Sequence, residues 1–152
     1  MSRFATLDLP GFPYRASLMA AAAVMALAVD FVSKEIVVAL DLETLLFHVS
    51  DRDVFGLGAS AILVAAASSL LVCVLPLRVI AVGAGVALGG ALGNLTSRHW
   101  WEQRGGSPDF IPFADGSTGN IADLCIALGA FTMLFGSVAW LVSTLISARR
   151  AT

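Results

Sequence analysis

The sequence predicts an all-α membrane protein: four transmembrane helices in one domain, with a small extracytoplasmic strand-and-loop element. Composition is the first reason. Of 152 residues, 58% are hydrophobic and 13% are charged, against about 25% charged in ordinary globular chains. The second reason is length. A hydrocarbon core of about 30 Å takes about 20 apolar residues in a helix, and four runs of that order cover 16–40, 54–75, 77–95 and 121–146. Little chain is left for a further domain.

Charge placement is the third reason, and it orients the spans. With both termini cytoplasmic, the inner side carries Arg3, Arg15, Arg78, Arg149 and Arg150. The outer connections then carry Asp41, Glu43, Asp51, Asp53, Glu102, Asp109 and Asp115, with Arg52, Arg98 and Arg104. Lysine and arginine in short loops favour the cytoplasmic side. Tyr14 and Trp140 fall near the inner interface, and Trp100 and Trp101 near the outer one, as aromatic belts do.

The first span contains Asp30, Lys34 and Glu35. Arg3 and Arg15 ahead of an apolar stretch ending in Ala26–Ala28 also fit a cleavable signal peptide. The apolar residues Ile36 to Leu40 beyond the charges favour a single uncleaved helix. The outer connection that follows, Asp41 to Asp53, mixes apolar and polar residues, an expected strand or hairpin at the membrane surface. Pro76 to Arg78 is a tight connection, so spans two and three should form an antiparallel hairpin. In span three, Gly85, Gly89 and Gly93 recur every four residues, a stripe that lets another helix backbone approach closely. Helix packing is the stronger reading of these glycines, and Asn94 stands one residue beyond them. Thr96 to Gly119 is the longest connection, rich in Gly, Pro, Ser and aromatics. Cys73 and Cys125 lie within spans and imply no disulfide framework. His48 and His99 lack metal-ligand spacing.

Ionisable groups inside spans are costly and point to function. Asp30 and Lys34 are spaced i,i+4 with the acid first, which suits a structural ion pair. Ser33 is adjacent to Lys34, and adjacent helix residues do not face each other, so a serine–lysine hydrolase is disfavoured. Asp123 admits two readings. Asn120 is a good N-cap, and a carboxylate three residues on can reach back to it; alternatively Asp123 works with an acid from the loop. That acid is Asp109, in the partly apolar stretch "SPDFIPF". Two carboxylates brought together do not both ionise comfortably, so one holds a proton while the other takes one from water. Such a pair can hydrolyse a peptide bond with no covalent intermediate.

Taken in order, "GGALGN" (Gly89 to Asn94), Arg98, Asp109-Phe110 and "NIAD" (Asn120 to Asp123), with "DFVSK" (Asp30 to Lys34) in the first span, resemble the bacterial lipoprotein signal peptidase, or signal peptidase II, family. The resemblance covers most of the chain. It implies an intramembrane aspartic endopeptidase of the bacterial inner membrane that removes the signal peptide from diacylglyceryl-modified prolipoproteins. Asp109 and Asp123 would be the catalytic pair. Asn94, Arg98 and Asn120 would line the active site, and Asp30 and Lys34 would support it. The outer segment after span one would be a cradle resting on the membrane beside the substrate. No metal or organic cofactor is implied. The expected partners are the lipid-modified precursor and membrane lipid, with no nucleic acid, and the chain is expected to be a monomer.

Two departures stand out. The family pattern Asn-x-Gly-Ala-x-Phe in the cradle is here Ser50-Asp51-Arg52-Asp53-Val54-Phe55, which keeps the phenylalanine alone. Ser97 stands where the family often has an acid before the arginine. The alternative is therefore a non-catalytic paralogue that binds lipoprotein precursors or lipid.

Overall fold

The computed structural model describes residues 11–41, 46–48 and 77–150. Three helices dominate: α1 (Phe12–Ala39), α2 (Arg78–Trp100) and α3 (Ile121–Arg150). All three are long and apolar enough to cross a membrane. The predicted second span, 54–75, lies outside the described residues, as do Cys73 and Ser50–Phe55.

The helices run past the apolar runs that predict them. α1 begins at Phe12, after Gly11 with φ 73° and with a proline in its first turn, where the missing N–H costs nothing. α2 continues through Arg98 and His99, and α3 through Arg149 and Arg150. Basic residues in a last turn suit the helix dipole. Hydropathy marks the part in hydrocarbon, while the helix ends where backbone partners run out.

α2 lies between the other two helices. A Cβ on Gly85 would collide with the Met19 carbonyl of α1, and one on Gly89 with the Ala23 carbonyl. The predicted glycine stripe is thus a close backbone contact. Higher up, a Cβ on Gly93 would lie 2.5 Å from the Asp30 carboxylate. Matched residues rise together along both helices, so α1 and α2 are parallel.

A second small-residue face of α2 meets α3. A Cβ on Gly90 would lie 2.5 Å from the Ala122 carbonyl, and one on Gly129 would lie 2.5 Å from the Gly83 carbonyl. Here the order reverses, so α3 is antiparallel to α2. Among the described residues few large side chains are buried, and Met19, Ala81 and Ala84 form a buried apolar cluster. Most large apolar residues of α3, including Leu128, Phe131 and Phe135, face outward, as a lipid-facing surface does.

Short strands cover the end of the bundle that bears Asp30. β1 (Leu46–His48) pairs antiparallel with β2 (Ser107–Asp109), placing Leu46 opposite Asp109. The expected strand after span one is present, with its partner drawn from the connection between α2 and α3. β3 (Ile111–Pro112) and β4 (Thr118–Gly119) form a small hairpin that leads into α3. At the same end, Phe31 contacts Trp100 and Trp101, with ring centroids 5.6 and 5.5 Å away. Trp100 is exposed as a belt residue would be, whereas Trp101 is buried. At the opposite end the Arg78 guanidinium stands 5.1 Å over the Tyr14 ring.

Candidate active site

α3 opens with a reciprocal cap. Asn120 Oδ1 accepts the Asp123 N–H at 3.3 Å, and Asp123 Oδ2 accepts the Asn120 N–H at 3.0 Å. This is the capping box expected from the spacing, and it uses one carboxylate oxygen. The other, Oδ1, accepts a 2.8 Å bond from Asn94 Nδ2 on α2. Capping and participation in a wider site therefore coexist at Asp123.

Asp109 ends β2 and is 7% exposed. Its Oδ1 accepts a 2.6 Å bond from Asn120 Nδ2, and the same amide lies 3.4 Å from Ser107 Oγ. Asn120 is 1% exposed. It touches both acids, Asp109 through its side chain and Asp123 through its backbone N–H. The loop does fold back, and a single buried residue joins the two carboxylates.

Behind this lies the ion pair. Lys34 Nζ donates to Asp30 Oδ2 at 2.8 Å, Ser97 Oγ at 2.9 Å and Asn94 Oδ1 at 3.1 Å. An ammonium has three protons to donate, and each has an acceptor. Both charged side chains are fully buried, so pairing and complete hydrogen bonding offset their loss of water. Asp30 Oδ1 accepts the Ala122 N–H at 2.8 Å. That N–H belongs to the first turn of α3, where no intrahelical partner exists. Asp30 and Lys34 thus hold the start of α3 by two routes, one through Ala122 and one through Asn94.

The lysine also orients an amide. With its oxygen held by Lys34, Asn94 can present only its NH2 group to Asp123. Ser33, by contrast, bonds the Asp30 carbonyl of its own helix at 2.7 Å and takes no part. Arg98 is half-buried one turn beyond Asn94 on the same face of α2. Among the described residues no hydrogen bond joins it to this network.

A family model described as signal peptidase (SPase) II matches residues 22–139. The chain belongs to the signal peptidase II family. This is a family of aspartic-type membrane proteases that process lipoprotein precursors. The match spans all of Asp30, Lys34, Asn94, Arg98, Asp109, Asn120 and Asp123. No curated protein matches the chain significantly.

Sequence reasoning treated Ser97 only as a departure. In the structure it is fully buried, accepts from Lys34 and donates to the Gly93 carbonyl at 2.6 Å. A signal was present, because Ser97 continues the four-residue repeat of Gly85, Gly89 and Gly93. Ser107, beside the Asn120 amide, carried no comparable signal. Outside the spans, Asp115 accepts bonds from the Ser117 hydroxyl at 2.7 Å and the Ser117 N–H at 3.0 Å. These hold its carboxyl below the usual carboxylate range.

Proposed function

We propose that this chain is an intramembrane aspartic endopeptidase that removes the signal peptide from diacylglyceryl-modified prolipoproteins, with Asp109 and Asp123 as its catalytic pair. The carrying observation is Asn120, which bonds both acids from one buried position. The setting is a bacterial inner membrane, with both termini cytoplasmic and the acids toward the outer leaflet.

In this reading one carboxylate takes a proton from water as its oxygen attacks the scissile carbonyl carbon. The protonated partner gives its proton to the carbonyl oxygen, which yields a tetrahedral diol. Collapse breaks the C–N bond, and a carboxyl proton passes to the leaving amine. Asn94 and Asn120 hold the carboxylates in place, and Arg98 stands one turn beyond Asn94 on α2. Asp30 and Lys34 fix the helix start that carries Asp123. Water and two acids account for the reaction, and the lipid-modified precursor enters from the bilayer.

The test is purified protein with a diacylglyceryl-modified prolipoprotein, read by the mass of the products. The parent should release the signal peptide, and Asp109→Asn or Asp123→Asn should each lower the rate by about 10²–10⁴-fold. Variants that cut as well as the parent would end this mechanism. The altered stretch Ser50–Phe55 motivates one other reading, a paralogue that binds precursors without cutting. Binding of intact precursor with no product after long incubation would select it.

A further inference from the structure

The hairpin between the two acids carries an aromatic ring that the chemistry above does not use. Phe113 follows β3 and is pinned on both sides by backbone bonds. Its N–H donates to the Ser117 carbonyl at 2.8 Å, and its carbonyl accepts the Gly116 N–H at 3.1 Å. The tip is tied again where Asp115 accepts from the Ser117 hydroxyl and N–H. Next to Asp109, the Phe110 N–H donates to the Gly119 carbonyl at 2.9 Å. The ring is therefore presented from a braced turn.

Its position shows in Gly119, the buried residue immediately before Asn120. A Cβ placed there would meet Phe113 Cε2 at 2.6 Å, Phe113 Cζ at 3.0 Å and Asp123 Oδ2 at 2.8 Å. The ring edge and the carboxylate oxygen adjoin the same point, and any side chain at 119 would drive one of them away. Phe113 nevertheless remains 37% exposed, next to the exposed residues Ala114 to Ser117. Phe113 thus stands beside the Asp123 carboxylate and is partly exposed.

We infer that Phe113 is a specificity-determining residue: its ring bounds the space beside Asp123 and limits the side chain that a peptide can place next to the scissile bond. The inference rests on the peptidase reading of Asp109 and Asp123. It differs from that reading in concerning which precursors fit, rather than how the bond breaks. Discrimination by pocket volume is worth about 10–200-fold for a methylene-sized change, so one rigid ring suffices.

The experiment uses the full chain and lipid-modified precursor peptides that differ only in the residue before the scissile bond, from alanine through valine to phenylalanine. Phe113→Ala should raise kcat/KM for the bulky peptides relative to the alanine peptide by about tenfold or more. Phe113→Leu should give a ratio between those of the parent and Phe113→Ala. A ratio unchanged within about twofold, with the parent active, overturns the inference and leaves the peptidase reading standing. If the parent cuts nothing, the peptidase reading fails, and Kd values for the same peptides measure the size limit instead. A lost preference in Phe113→Ala would support the inference, and equal Kd ratios in parent and variant would overturn it. A general loss of thermal stability with an unchanged ratio would show packing alone and would also overturn it.

Discussion

The two halves of α2 do opposite jobs with the same repeat. Toward the Arg78 end, Gly85 and Gly89 let the α1 backbone close in until no Cβ fits. Toward the Trp100 end, Gly93, Asn94 and Ser97 face a buried ion pair and reach Asp123. One half is held by shape and the other by saturated hydrogen bonding. Shape interactions fail gradually as volume is added. A saturated polar cluster fails abruptly when one member goes, because a buried partner is left without compensation.

That contrast can be broken from either side. The largest stability effect is expected at the polar half. Lys34→Met leaves the buried Asp30 charge unpaired, which should cost about 3–5 kcal/mol, read by SDS or thermal unfolding. Adding Asp30→Leu to Lys34→Met removes that orphan and should restore part of the loss, though not the orientation of Asn94. If the double variant is as unstable as the single one, charge compensation is not what the pair supplies.

A smaller cost is expected at the packed half. Gly89→Val must push α1 away from α2, and overpacking of this kind typically costs about 1–3 kcal/mol. The same unfolding assay reads it, and a neutral result would show that the helices separate freely there.

The smallest effect belongs to the exposed hairpin tip. Asp115 has its carboxyl lowered by the bonds from Ser117, so its contribution is present above the ordinary carboxylate value of about 3.9. It is lost as pH falls through the lower folded value. Protection of the Ser117 amide, its exchange rate taken relative to the intrinsic rate at the same pH, should therefore be greater at neutral pH than in strong acid. Asp115→Asn should flatten that dependence. An identical acid response in the variant would assign it to another group.

Local features were legible in the chain because their causes are local. The reciprocal bonds between Asn120 and Asp123 span three residues and follow from backbone geometry. The bond between Asp30 and Lys34 spans one helical turn. The spans at 16–40, 77–95 and 121–146 were legible as apolar length, although the helices overrun them where polar ends stay helical. Harder to see was that one glycine stripe changes role at Gly93. A repeat shows which residues share a face and says nothing about what stands opposite.

The sequence by itself determined a membrane protein with a capped helix start that carries one acid, Asp123. Hydrophobic length and turn-to-turn spacing are properties of neighbouring residues, so no partner was needed to read them. Only the tertiary structure decided that Asn120 bonds Asp109, that Lys34 turns the Asn94 amide toward Asp123, and that Phe113 lies over Gly119. Those contacts join different helices and loops, or the two arms of a hairpin. They exist because α1, α2 and α3 approach closely enough that every buried donor must find its acceptor on a neighbouring element.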